Sequence, residues 1–93
     1  MATEGAGLVA RAKAGDDEAF GDLVTRHQRA LFAIARAYFA SEADAEDAVQ
    51  EAFVKAFESL SQLRDNTRFA AWLARITVNV CLATLSPHFS PAG

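Results

Sequence analysis

Apolar side chains in this chain recur at spacings of three and four residues and nowhere alternate with polar ones at a spacing of two. The first pattern marks a helix with one buried face; the second is what a half-buried strand would require. The chain is therefore expected to be all-helical. One stripe is Phe20, Leu23, Val24, His27, Leu31, Ile34 and Tyr38, a second is Ala45, Val49, Ala52, Phe53, Ala56, Phe57 and Leu60, and a third is Phe69, Leu73, Ile76 and Val80. No internal repeat or low-complexity block interrupts them.

Capping residues divide the pattern into segments. Gly15 closes a short first helix, Leu8 to Ala14, and Asp16 or Asp17, with Glu18 in the first turn, opens a second that runs to about Phe39. Ser41 with Asp44 resembles a helix-start signature, and the third helix is expected from about Ala43 to Ser61. A loop, Gln62 to Asn66, lets Asp65 or Asn66 cap a last helix from about Thr67 to Leu82 or slightly beyond. The predicted fold is all-α, a compact bundle of three main helices plus a short N-terminal helix over residues 8–85. Residues 1–7 are expected to be a flexible start and 86–93, with Ser86-Pro87 and Ser90-Pro91, a flexible tail. With 93 residues the chain supports one core.

Several function classes lose support at this stage. The single cysteine, Cys81, cannot form an internal disulfide and supplies no CxxC pair for zinc, which fits a reducing compartment. The start, MATEGAG, lacks the features of a signal peptide, and no uninterrupted apolar run approaches the roughly 20 residues of a membrane span. A cytoplasmic protein with no membrane association is expected. There is no glycine-rich phosphate loop, GxSxG or HExxH. The residues three before His27 and His88 are Val24 and Leu85, so the Glu-x-x-His pairs of a di-metal bundle are missing. No catalytic residue, metal ligand or cofactor is assigned, and the chain is expected not to be an enzyme. His27, inside an apolar stripe, reads as a packed residue with one hydrogen bond. A helical enzyme with His27 as acid or base is the rival, and it needs that ring open to solvent.

The net charge of −3 disfavours a simple polyanion binder, because non-specific nucleic-acid affinity comes from lysine and arginine neutralising phosphates. The distribution is polarised. Ser41 to Glu58 holds six acids against Lys55, whereas Arg64 onward holds three arginines against Asp65. Asp44, Asp47, Gln50 and Glu51 project opposite the apolar stripe of the third helix, either as a solvated face or, with Gln50 fixing register, as a docking face. Arg68, Trp72, Arg75 and Asn79 share a sector of the last helix. They suit phosphates, stacked bases and base edges, or else Trp72 lies at the core margin between solvated arginines.

The stretch ADAEDAVQEAFVKAF, Ala43 to Phe57, resembles the second conserved region of bacterial sigma factors, above all the extracytoplasmic-function group. RFAAWLARITVN, Arg68 to Asn79, is similar to the promoter-reading helix that follows in that family. DDEAFGDLVTRHQRALFAIARAYF, Asp16 to Phe39, resembles the helix that opens the domain. The resemblance implies a module that binds core RNA polymerase and recognises and melts the promoter −10 element, leaving the chemistry to polymerase. It implies docking of Asp44, Asp47, Gln50 and Glu51 on the clamp helices of the largest polymerase subunits. It further implies contacts of Arg64, Arg68, Trp72, Arg75 and Asn79 with the non-template strand, Asn79 at a base edge and the arginines on phosphates, with an extruded base captured. An anti-sigma factor is a further implied partner. Family members continue with a basic stretch, a linker and a region 4 domain for the −35 element. Here the sequence reads VCLATLSPHFSPAG, without lysine or arginine after Arg75, so region 4 is expected to be lacking. The alternative this motivates is a stand-alone regulatory or protein-interaction domain that has lost promoter binding.

Overall fold

Four α-helices account for most of the chain in the computed structural model, which describes residues 2–85, with side chains from Gly5 onward. They are α1 (Ala2–Lys13), α2 (Asp17–Arg36), α3 (Glu42–Ser59) and α4 (Phe69–Leu85), with 3-10 turns at Leu60–Gln62 and Asn66–Arg68. Among the described residues there is no strand. The expected three main helices and leading shorter one are therefore present. α1 begins at Ala2 rather than Leu8, drawing residues assigned to a flexible start into helix. Gly5 and Gly7 had depressed its helical signal. The expected flexible tail, 86–93, lies outside the described residues.

The helix ends follow from local chemistry. Gly15, at φ 103°, takes the left-handed conformation that closes α1, with Gly15 N–H bonded to the Ala12 carbonyl and Asp16 N–H to that of Arg11. Asp16 is at once the N-cap of α2, its Oδ1 accepting from Ala19 N–H, while its Oδ2 accepts from Arg11 at 2.8 and 3.1 Å. One carboxylate thus fixes the α1–α2 corner. The Arg11 guanidinium and the Ala19 N–H hold Asp16 below the usual carboxylate range. Ser41 Oγ accepts from Asp44 N–H at the start of α3, and Arg36 pairs with Glu42 (3.5 Å) across the α2–α3 connection. Asp65 caps the turn before α4 through Thr67 N–H and Thr67 Oγ1, contacts that lower its pKa.

α2, α3 and α4 pack on one another, and α1 lies across α2 and the Asn66–Arg68 turn. The core is rich in alanine where helices approach, with Ala19 and Ala35 on α2 and Ala45, Ala48, Ala52 and Ala56 on α3. Larger residues, Val9, Leu23, Leu31 and Leu73, fill the space between them. Thr77 and Cys81, outside the expected stripe, are also fully buried. Thr77 Oγ1 satisfies itself by donating to the Leu73 carbonyl (2.9 Å), and burial pushes the Cys81 thiol pKa up.

Phe57 departs from expectation. Assigned to the core stripe of α3, it is 54% exposed. Successive turns of about 100° carry it to the margin of the inward arc. There it only touches Phe20 edge-on, with centroids 5.1 Å apart. By length and overall composition alone, Asn66–Leu85 is also long and apolar enough to cross a bilayer. Arg68 and Arg75 interrupt that stretch, and its inner residues, Phe69, Leu73, Thr77, Val80 and Cys81, face the bundle.

Candidate functional site

α3 presents its polar residues on the side away from the core. Asp44, Asp47, Gln50 and Glu51 are all exposed, while Ala45, Ala48, Val49 and Ala52 between them are buried. The division is a direct result of the helical repeat. Glu51 reaches Lys55 at 4.0 Å, an exposed i,i+4 pair too loose and too well solvated to commit the carboxylate. Asp44 supplies the N–H that Ser41 caps, so its carboxylate projects from the first turn of α3.

Val54 was not foreseen. It is 55% exposed, and its position three and four residues from Glu51 and Gln50 places it among the polar residues of this face. The face is thus an apolar spot with a polar rim, an arrangement typical of protein contacts. The signal in the sequence was a valine outside the inward stripe of α3. Beside it, α2 and α3 leave an open groove of about 480 Å³, to which α2 contributes Val24, Gln28, Arg29 and Phe32 and α3 contributes Glu46 and Gln50.

The second set of candidates lies on the neighbouring helix. Arg68, Trp72, Arg75 and Asn79 follow one another at intervals of four, three and four, so the turn before α4 and α4 as far as Asn79 carry them along one face. Arg64 lies in the loop just before. Arg64, Arg68, Arg75 and Asn79 are exposed, and the Arg68 side chain remains 77% exposed although its Nε lies 3.8 Å from Asp65. Neither Arg64 nor Arg75 makes an ion pair among the described residues.

Trp72 is half-buried, packed against the core and tilted on Phe69 with centroids 5.8 Å apart. Part of its indole anchors the helix, and only the remainder faces outward. Asn79 borders a second groove, of about 410 Å³, together with Lys55, Glu58, Ser59 and Ile76.

The two sets therefore stand on adjacent helices, both open at once, one acidic and amide-bearing, the other cationic and planar. His27 belongs to neither. It is half-buried, its Nδ1 3.0 Å from the Leu23 carbonyl oxygen and its ring edge-on to Phe69.

Residues 23–86 match the family model of sigma-70 region 2. The chain belongs to the sigma-70 region 2 family. Both polar faces, and the loop between α3 and α4, fall within the matched residues of this region 2 chain. It is 43% identical over 72 residues to the ECF RNA polymerase sigma-E factor of Escherichia coli (strain K12), covering 77% of this chain and 37% of that protein. The identity is also 43% over 72 residues with RNA polymerase sigma factor NccH of Alcaligenes xylosoxydans xylosoxydans, covering 77% of this chain and 39% of that one. This region 2 chain thus spans under two fifths of the length of these curated relatives. Among solved structures it is similar to an engineered region 2 of sigmaE, determined by NMR in complex with GTAAAA. The TM-score there is 0.83 at 38% identity, over 89% of this chain and 86% of the other.

Proposed function

We propose that the chain is the polymerase-binding and −10-reading module of an extracytoplasmic-function sigma factor, acting in the cytoplasm. α3 docks on the clamp helices of the largest polymerase subunits through Asp44, Asp47, Gln50 and Glu51. Carboxylates suit a basic partner by steering encounter, and Gln50 adds directed hydrogen bonds that fix register. α4 and the preceding loop hold the non-template strand, with Arg64, Arg68 and Arg75 on phosphates, Asn79 at a base edge and the outer edge of Trp72 as a stacking surface. The residues 8–85 act as one unit, and an anti-sigma factor is a further partner for the same surfaces.

The observation that carries this reading is the simultaneous exposure of Asp47, Gln50 and Glu51 on α3 and of Arg68, Arg75 and Asn79 on α4. Neither surface is spent on the chain's own packing. The likeness to an engineered region 2 of sigmaE in complex with GTAAAA supports it further. Capture of core polymerase by the immobilised chain tests the assignment. Gln50→Ala and Glu51→Arg are expected to weaken capture and Asn79→Ala to leave it intact, whereas equal capture by all variants would contradict it.

One observation favours a second reading. Leu82 and Leu85, at the end of α4, are 50% and 48% exposed, an apolar surface suited to self-association or partner sequestration in a regulator without promoter binding. That regulator would be indifferent to Glu51→Arg and sensitive to Leu82→Glu.

A further inference from the structure

Lys13, the last residue of α1, reaches across the molecule to the loop that joins α3 to α4. Its ammonium donates to the Leu63 carbonyl oxygen and, at 2.8 Å, to Asn66 Oδ1, acceptors 50 and 53 positions further along the chain. Between these two acceptors lie Arg64 and Asp65, and just beyond them Arg68. The lysine is half-buried, so part of its hydration is removed, and the two loop oxygens replace it. α1 also packs directly on the Asn66–Arg68 turn. Lys13 precedes residues 23–86, the part matched by the family model.

The loop has few other ties. Leu63 is buried at its start, and Asp65 bonds only to near neighbours in sequence, Thr67 and Arg68. Within the turn Phe69 N–H bonds the Asn66 carbonyl, and among the described residues Lys13 supplies the hydrogen bond that joins the Asn66 end to a helix distant in sequence.

Resting on the reading of α4 as a strand-binding helix, we propose that Lys13 is a positioning residue for sequence recognition. It fixes the loop so that Arg64 and Arg68 stand in register with Arg75 and Asn79 when single-stranded DNA binds. Phosphate contacts by mobile arginines tolerate a loose loop, whereas reading a base edge requires the strand to lie in one place. A loop ordered beforehand also avoids the entropy cost of ordering it upon binding. Loss of Lys13 should therefore reduce discrimination between sequences more than it reduces binding to DNA of any sequence.

The test uses the full chain and a randomised pool of fluorescent single-stranded hexanucleotides. The sequence that the wild type enriches becomes the probe, and the unselected pool is the reference. Lys13→Met, which keeps the apolar stem, is expected to lower the preference for the probe by about tenfold. Lys13→Arg, able to donate to both oxygens, should restore most of it. Asn66→Ala should reproduce the loss, and the double variant should be no worse than either single one, as two ends of one contact require. Thermal melts and capture of core polymerase keep a folding defect apart from a positioning defect, and Asn66→Ala remains informative if Lys13→Met does not fold. Wild-type preference in folded Lys13→Met and Asn66→Ala would overturn the proposal alone. Failure of the wild type to enrich any sequence would overturn the strand-binding reading beneath it.

Discussion

The imidazole of His27 on α2 stands edge-on to the ring of Phe69 on α4, with centroids 5.2 Å apart and planes at 78°. With Nδ1 at 3.0 Å from the Leu23 carbonyl oxygen, the ring is held on two sides, and Phe69 in turn carries Trp72. His27 thus links α2 to the first turn of the candidate DNA helix. Replacing it with alanine is expected to lower stability by about 1–2 kcal/mol, through the aromatic pair and the apolar area lost. The corresponding fall in melting temperature is about 5–10 °C for a domain of this size, measured by circular dichroism. Capture of polymerase below the melting temperature should be unchanged.

Burial separates two leucines of α4 that hydropathy treats alike. Leu73 is fully buried and Leu82 is half exposed. In urea titrations Leu73→Ala is expected to cost about 2–4 kcal/mol, the usual range for a cavity in a small core. Leu82→Ala should stay within about 0.5 kcal/mol of wild type, as exposed substitutions do. A large loss at Leu82 would mean that the outer side of α4 is covered.

Asp16 makes folding sensitive to acid. The Arg11 guanidinium and the Ala19 N–H favour its carboxylate form in the folded chain, so its folded pKa lies below the ordinary 3.8. The stability it contributes is fully present above that ordinary value and is lost as pH falls through the lowered one. Asp65, lowered chiefly by Thr67, acts with the same sign. Melting temperatures recorded from about pH 6 down to about pH 2 should fall less steeply in Asp16→Asn than in the wild type.

The helix starts at Asp16 and Ser41, and the caps that make them, were legible because an N-cap acts through its nearest neighbours in sequence. Asp65 caps as one of the two expected candidates, opening a 3-10 turn before α4. The two polar faces were legible for a related reason, since helical repeat alone decides which residues oppose an apolar stripe. What escaped the sequence depends on where neighbouring helices stop. Phe57, at the margin of the inward arc of α3, meets α2 only through Phe20 and stays half exposed, and no periodicity reports how far a neighbouring helix covers such a margin. Thr77 and Cys81 were overlooked because modest polarity hides a buried position. The Lys13 contacts join residues 50 and 53 positions apart, a separation at which local pattern carries no information.

Electrostatics should distinguish the two polar faces kinetically. Glu51→Arg reverses one charge of the docking face and is expected to slow association with core polymerase by about tenfold at low salt. The defect should shrink as ionic strength rises and the Debye length shortens to about 8 Å near physiological salt. Gln50→Ala, with no charge change, should instead speed dissociation at every salt concentration. Biolayer measurements on immobilised core polymerase provide both rates.

Sequence selection from a randomised single-stranded pool by the polymerase-bound chain, wild type against Asn79→Ala, addresses the division of labour between α3 and α4 most directly. The wild type is expected to enrich a defined motif, and Asn79→Ala to remain on polymerase while losing that enrichment. Equal indifference to sequence in both proteins, with polymerase bound, would contradict the assignment of α4 as the reading helix.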